Sequence, residues 1–279
     1  MGIGYLTGVV PGRYAMVTDI QNLKSPKKID IDKVGVKGIR YPIVVFDKTN
    51  GRQHTIASIN MYVDLPHRFK GTHMSRFVEI LNEYHREIGI RNFDAILDKM
   101  KERLNARSAH IEIEFPYFIN KRAPISGEEG LMEYLCHYTG YSGKMKEFII
   151  GIKIPVTTLC PCSKEIADFG AHNQRSYVNV SLLYKKFFWI EDVIKIVEEC
   201  ASSDIYSLLK RSDEKWLTER AYMNPMFVED VVREVASRLM DLTLFDWFLV
   251  ESENIESIHN HSAYALVEWG NRPESLITS

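Results

Sequence analysis

The chain has 279 residues, 45% of them hydrophobic and 26% charged, with a formal net charge of -2. That length suits one large domain or two ordinary ones with a real core, and the near-neutral balance argues against a dedicated nucleic-acid or membrane-surface protein. No apolar run approaches the roughly 20 residues of a membrane helix, and four cysteines are too few for a secreted disulfide scaffold. The start has a short apolar stretch without a basic segment, so it does not read as an export signal, and a reducing cytoplasm is the expected compartment.

Residues 1–28 read as a leader. After them, "YPIVVFD" (41–47) and "QHTIASINMYVDL" (53–65) alternate polar and apolar around a turn containing "KTNG", which predicts a β-hairpin. "THMSRFVEILNEYHREIG" (72–89) carries Met74, Phe77, Val78 and Leu81 at helical spacing, and "NFDAILDKMKERLNA" (92–106) predicts a second helix. "SAHIEIEFPYFI" (108–119) and "LMEYLCHYTGY" (131–141) predict two more strands.

The order then recurs. "KEFIIGIKIPVTT" (146–158) and "QRSYVNVSLLYKK" (174–186) alternate with period two, and "WIEDVIKIVEECAS" (189–202) is helical. "IYSLLKR" (205–211) reads as a further helical piece. "NPMFVEDVVREVASRLMDL" (224–242) is a helix with Asn224 and Pro225 as its start, and "FDWFLVESEN" (245–254) and "HSAYALVEWG" (261–270) close the pattern as strands. The fold class is α+β: two tandem modules over 29–142 and 143–279, each a four-stranded antiparallel sheet with two helices on one face. One continuous α+β domain is the alternative. Open sheet edges must be covered or paired, and oligomerisation is one solution.

The residues with chemistry to offer cluster in "TTLCPCSKEIADFGAHNQRS" (157–176). Pro161 stiffens the Cys160–Cys162 step and biases Cys160 toward extended geometry, in which both thiols face one side. Thiolate plus imidazole, here with His172 on the same loop, suits zinc or iron. Two small buried hydrophobes and a loop histidine are the alternative. Asp213 and Glu214 offer carboxylates but also read as solvated helix-end charges. His259 and His261 lie two apart at the mouth of a strand. Glu229 sits in the first turn of a helix, where the dipole alone favours a carboxylate. Arg68, Lys70, His73 and Arg76 surround a helix start at Gly71–Thr72, an arrangement that suits phosphate. Cys136 and Cys200 fall in apolar patterns and read as core.

"CPCSKEI…GAHNQRS", "VDLP…FKGTHMSRF", "DKVGVKGIRYPI" and "LLKRSDEKW…ERAYMNPMFVEDVVREVA" together resemble the bacterial type IB GTP cyclohydrolase family over about residues 29 to 270. Phe169 stands where tyrosine is common in that family. The resemblance implies a tandem tunnelling fold (T-fold) assembled as a homotetramer with active sites between subunits. It implies conversion of GTP and water to 7,8-dihydroneopterin triphosphate and formate, the entry to folate-type pterins. It also implies a divalent metal (manganese, iron or zinc) on Cys160, His172 and Glu214, with Cys162 and His259 as further catalytic groups and Glu229 holding the guanine. Lys164, Arg175, Lys210 and the 68–76 cluster are the candidates for the triphosphate. Rival expectations are a sister T-fold enzyme, such as a nitrile reductase using a cysteine nucleophile without metal, and a non-catalytic metal-binding scaffold.

Overall fold

The computed structural model describes residues 20–84, 88, 89 and 92–276. Most of the expected leader, residues 1–19, lies outside the described residues. The part that is described is tied down: Lys70 N donates to Gln21 O (3.1 Å) and Leu23 O (2.7 Å), and Ser25 N donates to His67 O (3.2 Å).

Eight strands form one antiparallel sheet in chain order: β1 (Ile31–Asp47), β2 (Gly51–Leu65), β3 (Ala109–Arg122), β4 (Glu129–Ser142), β5 (Lys146–Leu159), β6 (Asn173–Tyr184), β7 (Phe245–Ile255) and β8 (Ser262–Gly270). The α+β class is as expected. The two four-stranded sheets are, however, continuous, because β4 pairs with β5 from Leu135 opposite Lys153 to Ser142 opposite Lys146. Strand β1 begins at Ile31 rather than Tyr41. Its first half hides the alternation, since register shifts fall between Ile31 and Val34 and between Val36 and Ile39, with Gly38 at φ 72°.

The helices are α1 (Met74–Tyr84), α2 (Phe93–Leu104), α3 (Pro161–Ile166), α4 (Ile190–Glu199), α5 (Arg211–Met223) and α6 (Val228–Leu242). Helix α2 packs on β3 and β4, α4 on β5, and α6 on β7 and β8. Every second strand residue points into this layer. On β5 these are Ile150, Ile152, Ile154 and Val156, and on β6 they are Val178, Val180 and Leu182, all buried. No helix among the described residues is long and apolar enough to cross a membrane.

The second half carries more helix than the two expected. Residues 205–210 are not helical, and α5 starts only at Arg211. Its sequence, "RSDEKWLTERAYM", has almost no apolar stripe, so periodicity could not reveal it. What starts it is Asp213, whose Oδ2 accepts from Lys210 N at 2.8 Å. The same carboxylate accepts from Ile125 N and Ser126 N, both at 2.8 Å, and from Ser126 Oγ at 2.6 Å. Burial raises its pKa, but these hydrogen bonds outweigh burial and hold it well below the usual carboxylate range. Asn224 and Pro225 do not begin a helix either. Asn224 caps the end of α5 and its Nδ2 donates to Ala201 O at 2.9 Å, while α6 begins at Val228 with Phe227 N bonded to Asp230 Oδ2 at 3.2 Å.

Candidate active site

The core-facing rows of β5, β6 and β7 change character at one end of the sheet. Ile154 and Val156 give way to Thr158, Val178 to Ser176 and Gln174, and Val250 to Ser252 and Asn254. All of these polar residues are buried. The alternation continues, but the core has become polar, which is stable only where hydrogen bonds replace the lost water. Thr158 Oγ1 lies 2.7 Å from Ser176 Oγ, and Gln174 Nε2 donates to Thr158 Oγ1 at 3.0 Å.

Over this polar end sits a cavity of about 260 Å³. Its walls include Cys160 and Pro161 after β5, His172 and Gln174 at the start of β6, and Glu229 in the first turn of α6. Asn254, Glu256, His259, His261 and Ala263 close it from the β7–β8 connection. A larger cleft, about 730 Å³, lies at the far end of the sheet beside Lys33, Asp64, Arg107 and Lys144. It has no thiol or imidazole in its wall, so size alone does not locate the chemistry.

Cys160 is the N-cap of α3. Its backbone is extended (φ -70°, ψ 119°), and its Sγ accepts from Ser163 N at 3.4 Å. Pro161 occupies the first helical position, where its fixed φ and missing N–H are no cost. The expected extended Cys-Pro-Cys step is therefore half right. Cys160 is extended, but Cys162 is already helical and exposed, and residues two apart on a helix do not share a face. Cys162 does not line the cavity.

His172 is held from one side. Its Nδ1 is 3.0 Å from Gln174 Oε1, 3.5 Å from Ser257 Oγ and 3.9 Å from Glu256 Oε2, which leaves Nε2 to face a ligand. His259 and His261 stack with ring centroids 5.1 Å apart. Of the residues expected at a site, the fold brings Cys160, His172, Glu229 and His259 to one cavity. Glu214 is exposed near the start of α5 and does not line it. Sequence reasoning missed Glu256, Asn254 and Gln174. Gln174 and Asn254 are detectable in principle as polar residues at inward positions of otherwise apolar strands, whereas Glu256 lies in a connection with no periodicity to read.

Thiol, imidazole and carboxylate are a donor set suited to zinc, iron or manganese. Among the described residues no three His, Cys, Asp or Glu side chains come close enough together to hold an ion. The donors thus fit in kind, while the described residues of one chain do not assemble a complete set. Among the described residues no lysine or arginine lines the cavity. Lys164 donates to Tyr222 O, Arg76 Nη1 caps α2 at Arg103 O (2.7 Å), Lys210 faces Glu128, and Arg175 lines a separate cavity beside α5.

The family model for type I GTP cyclohydrolase folE2 matches residues 17–265. The chain belongs to this family. It is 62% identical over 251 residues to the GTP cyclohydrolase FolE2 of Syntrophus aciditrophicus, covering 90% of this chain and 98% of the relative. It is 60% identical over 250 residues to that of Geobacter metallireducens, covering 90% of this chain and 96% of the relative. Among solved structures it is similar to a highly active mutant of Bacillus sp. TB-90 urate oxidase, with a TM-score of 0.51 at 9% identity, over 86% of this chain and all of the other. At that identity the likeness speaks for the fold alone, and it agrees with the tandem T-fold expected from the sequence.

Proposed function

We propose that this chain is a GTP cyclohydrolase of folate biosynthesis, converting GTP and water to 7,8-dihydroneopterin triphosphate and formate in a site built around the cavity at Cys160. The observation that carries the reading is the convergence of Cys160 and His172 from the β5–β6 connection, Glu229 from α6 and His259 from the β7–β8 connection onto one cavity, in a chain of this family. Glu229 accepts the N1–H and N2–H edge of guanine. Adenine lacks that donor pair, and a buried acceptor left unpaired costs about 1–3 kcal/mol. His259 holds or delivers a proton at a ring nitrogen while the imidazole ring of the base opens, a role imidazole fills well near neutral pH. Gln174 and Ser257 fix the His172 ring from its Nδ1 side.

Cys160 and His172 would hold a divalent manganese, iron or zinc ion together with a carboxylate. Bound there, the ion would act as a Lewis acid that makes water nucleophilic near neutral pH. Two carboxylates compete for the third place. Glu256 is the one this chain brings beside His172. Glu214, implied by the family resemblance, is exposed and would reach the site from a second copy. A homotetramer with sites between subunits accommodates that second arrangement. It also supplies the cations for the triphosphate, since no lysine or arginine among the described residues lines this cavity. Cys162, exposed on α3, serves as a proton carrier in such a closed site.

The test is anaerobic incubation of chelator-stripped protein with GTP, with and without manganese, following formate and the fluorescence of oxidised neopterin. One formate per pterin, dependent on metal, is expected; neither product with manganese, iron or zinc overturns the reading. Metal content of Glu214→Ala against Glu256→Ala then decides between the two carboxylates.

A further inference from the structure

Five buried side-chain oxygens have no hydrogen-bond partner among the described residues, and Asn254 Oδ1 is the one whose residue lines the candidate active site. Asn254 is only 3% exposed. Native chains rarely leave such a group unpaired, because burying it without a partner costs about as much as a lost hydrogen bond. None of its neighbours reaches it: Ser252, two residues back on the same inward row, has a hydroxyl that is likewise without a partner. Ser176, directly opposite on β6, is engaged with Thr158. Gln174, the same kind of side chain on the same wall, uses both ends of its amide, on Thr158 and on His172. Ala263, opposite on β8, has no polar side chain. Because Asn254 lines the cavity, a molecule that enters it can supply the donor that Asn254 Oδ1 lacks.

We infer that Asn254 is a specificity-determining residue that accepts a hydrogen bond from the exocyclic 2-amino group of the guanine base. This rests on the GTP reading above. The 2-amino group carries two protons. Glu229, on the helix side of the cavity, takes the edge made by N1–H and one of them. The second proton points away from that edge and needs an acceptor of its own. A carboxamide oxygen supplies one without adding a third negative charge beside Glu229 and Glu256. Adenine and hypoxanthine carry only a C–H at this position and leave Asn254 unpaired.

The experiment compares kcat/KM for GTP and inosine triphosphate, which lacks only the 2-amino group, in wild-type and Asn254→Ala holoenzyme. Wild type is expected to prefer GTP, and Asn254→Ala to lower that preference by about tenfold, the size of one hydrogen bond to a buried acceptor. The substitution removes no hydrogen bond of the free protein, so its thermal midpoint should stay level or rise. A structural role would lower the midpoint and reduce activity on both nucleotides alike, and that outcome overturns the inference. So does an unchanged nucleotide preference in a variant that still releases formate from GTP. Wild type that releases no formate from GTP would instead sink the underlying reading. Should Asn254→Ala not fold, Asn254→Ser, too short to reach the base, is expected to show the same fall in preference.

Discussion

At the end of β1, Asp47 turns the chain directly into β2 through residues 48–50; at the end of β5, residues 160–172 intervene before β6. Both places lie at the same end of the sheet, in its two halves. In the first, Asp47 Oδ1 accepts from Thr49 N (2.9 Å) and Asn50 N (2.6 Å), and its Oδ2 from Gln53 Nε2 (3.2 Å). Gln53 also bonds both ways to the backbone of Phe118, at 2.8 Å each. Thr55 Oγ1 donates to Pro116 O at 2.8 Å. In the second half the matching glutamine is Gln174, and the polar residue two further on is Ser176. Here the longer connection carries Cys160 and His172 out over the strand ends, and Gln174 turns to hold His172. The lesson is that one framework of inward polar residues serves two connections. Where the turn is short it closes a hairpin, and where the turn is long it supports an open cavity.

The comparison breaks most visibly at Cys160. Cys160→Ala should lower formate release more than about 100-fold, beyond the usual cost of losing a group that only orients a metal ligand, and metal content should fall with it. If metal and rate both survive, the long connection is not where the chemistry lies. Glu229→Ala should erase roughly tenfold to a hundredfold of the preference for GTP over ATP, read from competing turnover. Gln174→Ala tests whether the shared glutamine has changed its job. It should lower activity or metal affinity by about tenfold with little loss of stability.

In the first half the effects should be on stability only. Asp47→Ala leaves two backbone N–H groups and Gln53 short of an acceptor, and should cost about 1–3 kcal/mol in denaturant unfolding with kcat unchanged. A fall in kcat as large as that of Cys160→Ala would mean that the two ends are not separate. The smallest effect concerns His110, buried at the far end of the first half with Nε2 2.8 Å from Glu112 Oε1. Burial pushes its pKa below the usual histidine value, and Glu112 only partly offsets that. The unfolded chain therefore takes up a proton first as pH falls below about 6.5. Stability should be full above that pH and decline below it, by at most about 1.4 kcal/mol per pH unit. Unfolding midpoints between pH 7 and 5.5 check this, and His110→Gln should flatten the slope.

The sequence by itself determined the strands, most of the helices and their repeated order, because period two and period 3.6 are local properties of a chain with a one-sided core. It also determined which segments carry the family, and through them four residues that the fold gathers in one cavity. It could not show α5, whose start depends on Asp213 binding the backbone at Ile125 and Ser126, far away in the chain. It misjudged the Cys160–Cys162 step, since a proline after an extended residue serves a strand end and a helix start equally well. Tertiary structure brought Glu256, Gln174 and Asn254 to the wall of the candidate site. Each is an ordinary polar residue in sequence, and its meaning comes from where hydrogen bonds are made or withheld once the strands are aligned.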